Sequence, residues 1–244
     1  MSEELPILYR DEHLIAVHKP SGLLVHRTVL DRNETRFAVQ ILRDQIGRHV
    51  HPVHRLDRGT SGVLLFALER DVGRALSAQF ETQQVDKTYL AVVRGHPDEA
   101  GIIDHPLTRQ YDDYEFRAAD TVGAAQSAIT RFRRLAAVEL PYSVNRYPTS
   151  RYALLELKPE TGRRHQLRRH LKHLAHPIIG DATYGKGRHN RLFQALFGGG
   201  RLLLACREMR LAHPVSGQPL VLSAPLAEDF VSVLKALGWN NQHA

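Results

Sequence analysis

The spacing of apolar positions changes several times along the chain, and each change predicts an element. Short apolar runs at 7–9, 14–18 and 23–26 predict three strands, with the turn sequence KPSG between the last two. Apolar positions at helical spacing from 36 to 46 predict a helix, and Gly47 is placed to end it. The chain therefore opens with three predicted strands and a helix.

The remaining pattern is also mixed, with more strands than helices. Further strands are predicted at 63–68, 87–95, 127–138, 151–159, 202–206 and 219–224, helices at 72–80, 163–175 and 226–237, and a loop-rich segment at 99–124. Strands and helices do not alternate regularly, which predicts an α+β fold with a mixed or largely antiparallel sheet. Since neither a repeat nor a clear linker interrupts the pattern, we expect a single domain over 1–244.

Composition narrows the function classes. The 244 residues carry a formal net charge of +7, which indicates either a basic face for a polyanion or an ordinary solvated surface. Cys206 is the single cysteine, so neither an internal disulfide nor a thiolate zinc cluster can form within the chain. The sequence has neither a signal-peptide pattern nor a membrane-spanning apolar run, so we expect a cytoplasmic protein without membrane association.

The stretch VHRLDRGTSGVLLFA at 53–67 holds Asp57 between Arg55 and Arg58, just before an apolar strand. Nearby positive charge favours the ionised carboxylate, which can act as a nucleophile or as a base. Gly59 and Gly62 leave room for a ligand or another backbone to approach. A structural ion pair that fixes a turn is the alternative interpretation, and these residues alone do not decide between the two.

A metal site is a competing interpretation of the same region. His49, His51, His54 and Asp57 resemble the HxHxDH ligand run of metallo-hydrolases. Val53 stands where that run has its aspartate, so we expect no metal here.

The segment 161–177 predicts a strongly basic helix. Leu167, Leu171 and Leu174 would share an inward stripe, while Arg164, Arg168 and Lys172 repeat every four residues on a neighbouring face. Such like-charge spacing is unfavourable unless an anion relieves it, so a phosphate backbone or a buried carboxylate is the expected partner. A solvated face remains the alternative.

Five motifs in order resemble the RluA family of pseudouridine synthases: HKPSG at 18–22, HRLDRGTSG at 54–62, KTYLAVVRG at 87–95, TGRRHQLRRHL at 161–171 and HPIIGD at 176–181. Three shorter stretches are similar to a tRNA-modifying branch of that family: VLDR at 29–32, RDQIG at 43–47 and RYPTSRY at 146–152. The chain departs from the family pattern at His18, Ala205 and Cys206.

The resemblance implies the pseudouridine synthase fold, a long mixed and mostly antiparallel sheet in two lobes with a central active-site cleft. Only six residues precede the first strand, so we expect no N-terminal S4-type RNA-binding domain. The implied reaction isomerises uridine to pseudouridine without cofactor or metal. A monomer that acts on tRNA at uridine 65, and not on DNA, is the expectation, with ribosomal RNA or another tRNA site as alternatives.

Family roles transfer to individual positions. Asp57 matches the catalytic aspartate, Arg55 the arginine that fills the gap left by the flipped base, and Tyr89 the aromatic that stacks on it. Arg168 matches the partner of the aspartate, and Leu204 matches the apolar wall of the base pocket. Further RNA contacts are expected from six cations: Lys19, Arg58, Arg163, Arg164, Arg169 and Lys172. A non-catalytic RNA-binding protein and a metal-dependent nuclease are the alternatives from other classes.

Overall fold

A ten-stranded sheet forms the core of the fold in a computed structural model that describes residues 4–26, 34–110 and 124–240. The described residues form twelve strands and five helices. The strands are β1 Ile7–Arg10, β2 Leu14–Lys19, β3 His51–Pro52, β4 Ser61–Ala67, β5 Asp86–Arg94, β6 Ala100–Asp104, β7 Leu107–Thr108, β8 Ala125–Gln126, β9 Ile129–Leu140, β10 Ser150–Pro159, β11 Leu204–Ala212 and β12 Pro219–Ser223. The helices are α1 Ala38–Ile46, α2 Arg70–Glu81, α3 Gln166–His173, α4 Gly187–Phe197 and α5 Glu228–Ala236.

The main sheet runs in the order β1-β2-β4-β11-β5-β10-β9-β6, with β3 added on β4 and β12 on β11. Among the described strands, β4 and β11 form a parallel pair, and the other pairs are antiparallel. Gly62 makes the parallel pair possible, because a Cβ at this position would lie 1.9 Å from the carbonyl oxygen of Cys206. Its φ of 113° also favours glycine. These observations confirm the predicted α+β class with a large mixed sheet.

Apolar clusters cover both sides of the sheet. One cluster joins β2 and β4 to α1 and α2, and a second joins β5 and β10 to α4 and α5. A third contains Leu167 and Leu171 of α3, packed against Ala91, Val93 and Leu155. The inward leucine stripe of the basic segment is therefore confirmed, and it fixes α3 over the middle of the sheet.

The predicted strand at 23–26 is wrong. The carbonyl oxygens of Leu24 and Val25 accept hydrogen bonds from the amides of Ala38 and Val39, at 2.9 and 3.1 Å. These amides open α1, whose N-cap residue Phe37 provides no side-chain acceptor. The segment therefore supplies the acceptors that the first turn of the helix needs.

Other predictions need correction at their boundaries. The segment 99–124 contains β6 and β7, so its first part is not a loop. The basic helix is shorter than 163–175, so Arg164 precedes it instead of continuing its charged face. Helix α4 was not predicted, because its first five residues are polar or glycine and a glycine run follows it. The VLDR stretch at 29–32 lies outside the described residues.

In the described part of the chain, no helix is both long and apolar enough to cross a membrane.

Candidate active site

A cleft of about 430 Å³ opens over the middle strands. Its walls come from the 53–60 loop before β4, from Tyr89 on β5, from Leu204 on β11 and from the 159–168 segment that leads into α3. The parallel β4–β11 pair and the antiparallel β11–β5 pair bring these distant segments together. The cleft therefore collects the three sequence motifs around Asp57, Tyr89 and Arg168.

Asp57 is mounted where a turn enters a fully buried strand. The amide of Thr60 donates to its carbonyl oxygen at 3.0 Å, and all seven residues of β4 are buried. Its side chain is 20% exposed, and Oδ2 lies 3.1 Å from Nη1 of Arg168. The carboxylate is thus both oriented by a guanidinium and accessible from the cleft.

Asp181 holds Arg168 in place. Arg168 donates from Nε to Oδ2 of Asp181 at 2.7 Å and from Nη2 to Oδ1 at 2.9 Å, a bidentate pair. The Asp181 side chain is fully buried, and its Oδ1 also accepts the amides of Thr183 and Tyr184 at 2.9 Å. One buried carboxylate therefore fixes the guanidinium, whose remaining Nη1 points at Asp57.

The charges of this group stabilise one another. Burial alone would raise the pKa of Asp181, but the hydrogen bonds from Arg168 and the backbone amides outweigh it and lower that pKa. Burial alone would lower the pKa of Arg168, but Asp181 and Asp57 outweigh it and raise that pKa. Arg168 therefore stays charged next to the carboxylate of Asp57.

His165 completes the surroundings of Asp57. It is the N-cap of α3 in the left-handed region, with φ 54° and ψ 26°, which is uncommon for a residue with a Cβ. Its Nε2 lies 3.8 Å from Oδ1 of Asp57, and its Nδ1 lies 3.0 Å from the hydroxyl of Tyr184. Burial is the main cause that lowers the pKa of His165, so the ring is neutral at pH 7.

Gln166 locks the segment that presents His165 and Arg168. Its Nε2 donates to the carbonyl of Ile129 at 3.0 Å and to the hydroxyl of Thr130 at 3.1 Å. Its Oε1 accepts from the Thr161 hydroxyl at 2.7 Å and from the Arg163 amide at 2.9 Å. This buried amide uses both donors and its acceptor, so the start of α3 is tied rigidly to β9.

Leu204 and Tyr89 form an apolar part of the cleft wall. Leu204 is 3% exposed, and Tyr89 stands opposite Cys206, two residues further along β11. Burial raises the pKa of Tyr89 well above its usual value, and burial raises the pKa of Cys206 to about 12. Both groups are therefore neutral, and the neutral Tyr89 in the cleft wall suits an uncharged aromatic ring.

Two cations predicted to contact RNA support the Asp57 loop, and the predicted RNA contact of Arg58 stays a prediction. Lys19 is 0% exposed, and its ammonium donates to the carbonyls of Pro20, Leu23 and Arg58 at 2.9, 2.6 and 3.1 Å. An RNA contact by Lys19 does not fit this geometry, so that prediction is corrected. Arg58 donates to the Gly22 carbonyl and pairs with Glu34 at 2.8 Å, although half of its side chain is exposed.

The remaining basic residues surround the cleft and an adjoining groove. Arg163, Arg164 and Arg169 line a groove of about 320 Å³ beside the cleft, together with Arg109, which sequence reasoning missed. Lys172 lies exposed on α3, with Nζ 5.6 Å from the ring centroid of Tyr184. Arg55 is exposed at the cleft wall. The predicted roles of these residues stay predictions. Arg163 lines both the cleft and the groove, so the two adjoin, and we call these cations the basic rim.

The histidines of the metal alternative do not converge. Nε2 of His54 accepts the amide of Leu65 at 3.0 Å, and His51 lies in β3. Across residues 4–26, 34–110 and 124–240, no group of three or more histidine, cysteine or carboxylate residues has a geometry suited to a metal ion. Nothing in this arrangement favours the metal-dependent nuclease.

Sequence reasoning placed none of Asp181, His165 and Tyr184 among the candidate site residues. Asp181 and His165 stand within the recognised motifs HPIIGD and TGRRHQLRRHL, which is the signal that could have singled them out. Their contacts depend on the fold, since thirteen residues separate Arg168 from Asp181.

Comparisons with known proteins agree with the geometry. A family model described as RNA pseudouridylate synthase matches residues 13–173. A tRNA pseudouridine synthase C from Pectobacterium carotovorum is 54% identical over 96% of this chain and 62% of its own length. One from Vibrio cholerae is 50% identical over 96% of both chains.

A solved human structure, RNA pseudouridylate synthase domain containing 4, superposes with a TM-score of 0.72 at 27% identity, over 96% of this chain and 93% of that one. A second solved human structure, RNA pseudouridylate synthase domain containing 1, superposes with a TM-score of 0.70 at 27% identity. The superposition covers 93% of this chain and 85% of that one. The chain therefore belongs to the RNA pseudouridylate synthase family, the RluA-type isomerases that its five motifs indicated.

Proposed function

We propose that this chain isomerises uridine 65 of tRNA to pseudouridine. Similarity to tRNA pseudouridine synthase C supports tRNA as the substrate class. The chain spans 62% of the Pectobacterium relative's length, whereas it spans 96% of the Vibrio cholerae relative's length. The basic rim of the cleft supports the same substrate class, because RNA is a polyanion.

The reaction is balanced without any other reactant. The C1′–N1 bond breaks, the uracil turns within the pocket, and a C1′–C5 bond forms. The proton on C5 leaves to solvent, and N1 gains a proton, so the product is an isomer of the substrate. The reaction is redox-neutral, and the proposal includes neither cofactor nor metal.

The position of Asp57 is the observation that carries the proposal. A carboxylate oriented by a fixed guanidinium, at the base of a cleft with an apolar wall, suits attack on the ribose or removal of its C2′ proton. A protein that only binds RNA gains nothing from a carboxylate here, because it repels phosphate.

The cleft also provides what an everted nucleoside needs. A flipped base loses stacking worth a few kcal/mol, and stacking against Tyr89 offsets part of this cost. Leu204 closes the apolar side of the base pocket. Arg55 is exposed at the cleft wall, and we expect it to enter the space that the base leaves in the RNA.

Release of tritium from C5 of labelled uridine in tRNA tests the proposal. We expect release that added EDTA does not affect and that Asp57→Asn reduces by about a thousandfold or more, since the carboxylate performs the chemistry. Affinity of that variant for tRNA should stay within about threefold of the parent. Asp71→Asn is the matched control, because Asp71 is 88% exposed on α2 and pairs with its neighbour Arg74.

Two outcomes would count against the enzyme. Binding of tRNA without tritium release by the parent protein would favour a non-catalytic RNA-binding protein. Loss of tRNA affinity together with activity in Asp57→Asn would make Asp57 a structural residue. Mapping the modified nucleotide in the product decides between uridine 65 and another tRNA or ribosomal RNA position.

A further inference from the structure

A second pocket, of about 520 Å³, lies at the far end of β5 and shares no lining residue with the Asp57 cleft. The β9–β10 connection, Arg94 of β5, Arg151 of β10 and His189 of α4 surround it. We infer that this pocket binds a nucleotide of the RNA substrate outside the segment that enters the cleft. This inference rests on the proposed RNA substrate.

Two guanidiniums provide charge for a phosphate group. Arg151 is 61% exposed, and its Nε donates to Oε2 of Glu139 at 2.9 Å, across the β9–β10 pair. Arg94 lies close enough to Tyr152 and His189 for its charge to act on both. Glu139 offsets part of the positive charge, so the pocket suits one phosphate together with neutral groups better than a run of phosphates.

The β9–β10 connection adds aromatic surface. Tyr147 lines the pocket and is 57% exposed, with the guanidinium of Arg146 5.0 Å from its ring centroid. Tyr142, in the same connection, is 43% exposed. Exposed aromatic rings next to arginines provide stacking platforms for unpaired bases.

The pocket floor contains polar groups from buried side chains. His189 is 5% exposed, and its Nδ1 lies 2.8 Å from the Tyr152 hydroxyl. Within the described part of the chain, its Nε2 has no hydrogen-bond partner. Burial lowers the pKa of His189 to about 4, so the ring is neutral at pH 7. Ser150, 4% exposed, adds a hydroxyl at the same floor. Buried polar groups of this kind are completed by a polar ligand or water.

The position of the pocket determines which part of the RNA reaches it. Arg94 follows Tyr89 by five residues on β5, about 17 Å along the strand. An odd spacing places the two side chains on opposite faces of the sheet. We therefore expect a short stem-loop in the cleft to leave this pocket empty, whereas a folded tRNA can present a second segment to it.

The test compares full-length tRNA with a short stem-loop that contains the target uridine. We expect Tyr147→Ala combined with Arg151→Ala to raise KM for tRNA about tenfold or more, with kcat unchanged. Turnover of the stem-loop by the same variant should equal that of the parent. Both side chains are more than half exposed, so the unfolding temperature is expected to change little.

Arg133→Ala is the matched control for the arginine. Arg133 forms the corresponding cross-strand pair with Glu156 on β9 and β10, and it is 62% exposed, but it does not line the pocket. We expect this control to leave KM for both RNAs within about twofold of the parent.

Three results would overturn the inference. The first is an equal effect of the double substitution on tRNA and on the stem-loop. The second is a rise in KM for tRNA in Arg133→Ala as large as that in the double variant. The third is binding of uridine 5′-monophosphate at this pocket by the parent while tRNA affinity is unchanged in the double variant. The last result would assign the pocket to a free nucleotide. Turnover of the stem-loop by the parent protein is the reference in every experiment. If the parent does not turn over either RNA, the proposed function has failed, and this outcome is distinct from the three above.

Discussion

The cations of the Asp57 cleft and those of its rim differ in their partners. Arg168 is 11% exposed and forms ion pairs with Asp181 and Asp57 inside the protein. The hydrogen bonds described for Arg163 and Arg169 run to the backbone carbonyls of Ser127 and Thr108 instead. The charge of Arg168 is thus matched by carboxylates, whereas that of the rim faces neutral groups and solvent.

Under the proposed function, this difference separates the residues of the chemical step from those that bind RNA. A buried and fully hydrogen-bonded pair is insensitive to salt and holds a reacting group within a narrow geometry. Partly exposed cations bind phosphate by releasing counterions, so their contribution falls as salt rises. Substitutions in the first set should change catalysis and stability, and those in the second set should change RNA affinity.

Removal of the negative charge at Asp181 should have the largest effect. Asp181→Asn keeps the shape of the side chain but leaves the guanidinium of Arg168 buried with Asp57 as its remaining carboxylate partner. We expect about 3 kcal/mol lower stability, as for other broken buried pairs, and an about hundredfold lower kcat from the misplaced Asp57. Urea unfolding and tritium release measure these two quantities.

Asp229→Asn is the control for the ion pair of Asp181 with Arg168, which we call the Asp181 clamp. Asp229 pairs with Arg201 but is 54% exposed. Its effect on stability should be below about 1 kcal/mol, with unchanged turnover. Unchanged kcat in Asp181→Asn would show that Arg168 is positioned without the clamp, and a large loss of tRNA affinity would contradict the separation of the two regions.

The pH dependence of stability tests whether His54 in the cleft wall is shielded from water. His54 stacks on Phe80, with ring centroids 5.0 Å apart, and burial lowers its pKa from 6.5 to about 3. Below pH 6.5 the unfolded chain therefore binds a proton that the folded chain does not, so stability falls as pH falls toward 3. One such group contributes up to about 1.4 kcal/mol per pH unit, or about 2 kcal/mol between about pH 6.5 and 5.

His54→Gln keeps an acceptor for the Leu65 amide but cannot be protonated in this range. Urea unfolding at pH 7, 6 and 5 should give a slope smaller by about 1 kcal/mol per pH unit for this variant. His49→Gln is the control, since His49 is exposed on the neighbouring loop. An identical slope in His54→Gln and the parent would mean that His54 is protonated without cost in the folded protein.

Sequence reasoning located the centre of the site because its residues stand in continuous motifs. Asp57 and Arg168 each lie in a stretch with few interpretations, and the structure places them 3.1 Å apart across 111 residues. Asp181 could not be assigned in the same way, because its role depends on a contact that only the fold creates. Lys19 was misassigned because a lysine that donates to three carbonyls has the same sequence signature as one that contacts phosphate.

The fold shows the same limit. Apolar runs predicted strands such as β5 and β10, whose side chains are buried on both faces of the sheet, and helical spacing predicted α2. The 23–26 segment has the apolar run of a strand, but its carbonyls are used by α1. Periodicity reports which face is buried and not which backbone groups will find partners, so the second kind of information is missing from the pattern.

Substitution at the rim should have the smallest effect at physiological salt and should be distinguished by its salt dependence. Arg169→Ala combined with Lys172→Ala removes two cations outside the Asp181 clamp, so the proposed phosphate interactions disappear without a change at Asp57. We expect an about tenfold weaker binding of tRNA at low salt. The slope of log affinity against log salt should also be shallower by roughly 1 to 2, since each neutralised phosphate adds about 0.7 to 0.9 to that slope.

Electrophoretic or fluorescence titrations at several salt concentrations measure both the affinity and its salt slope. Arg74→Ala on α2 is the control, because Arg74 is 79% exposed. Because kcat at saturating tRNA should be unchanged, an unchanged salt slope with reduced kcat would place these cations in the catalytic arrangement and remove the division between cleft and rim.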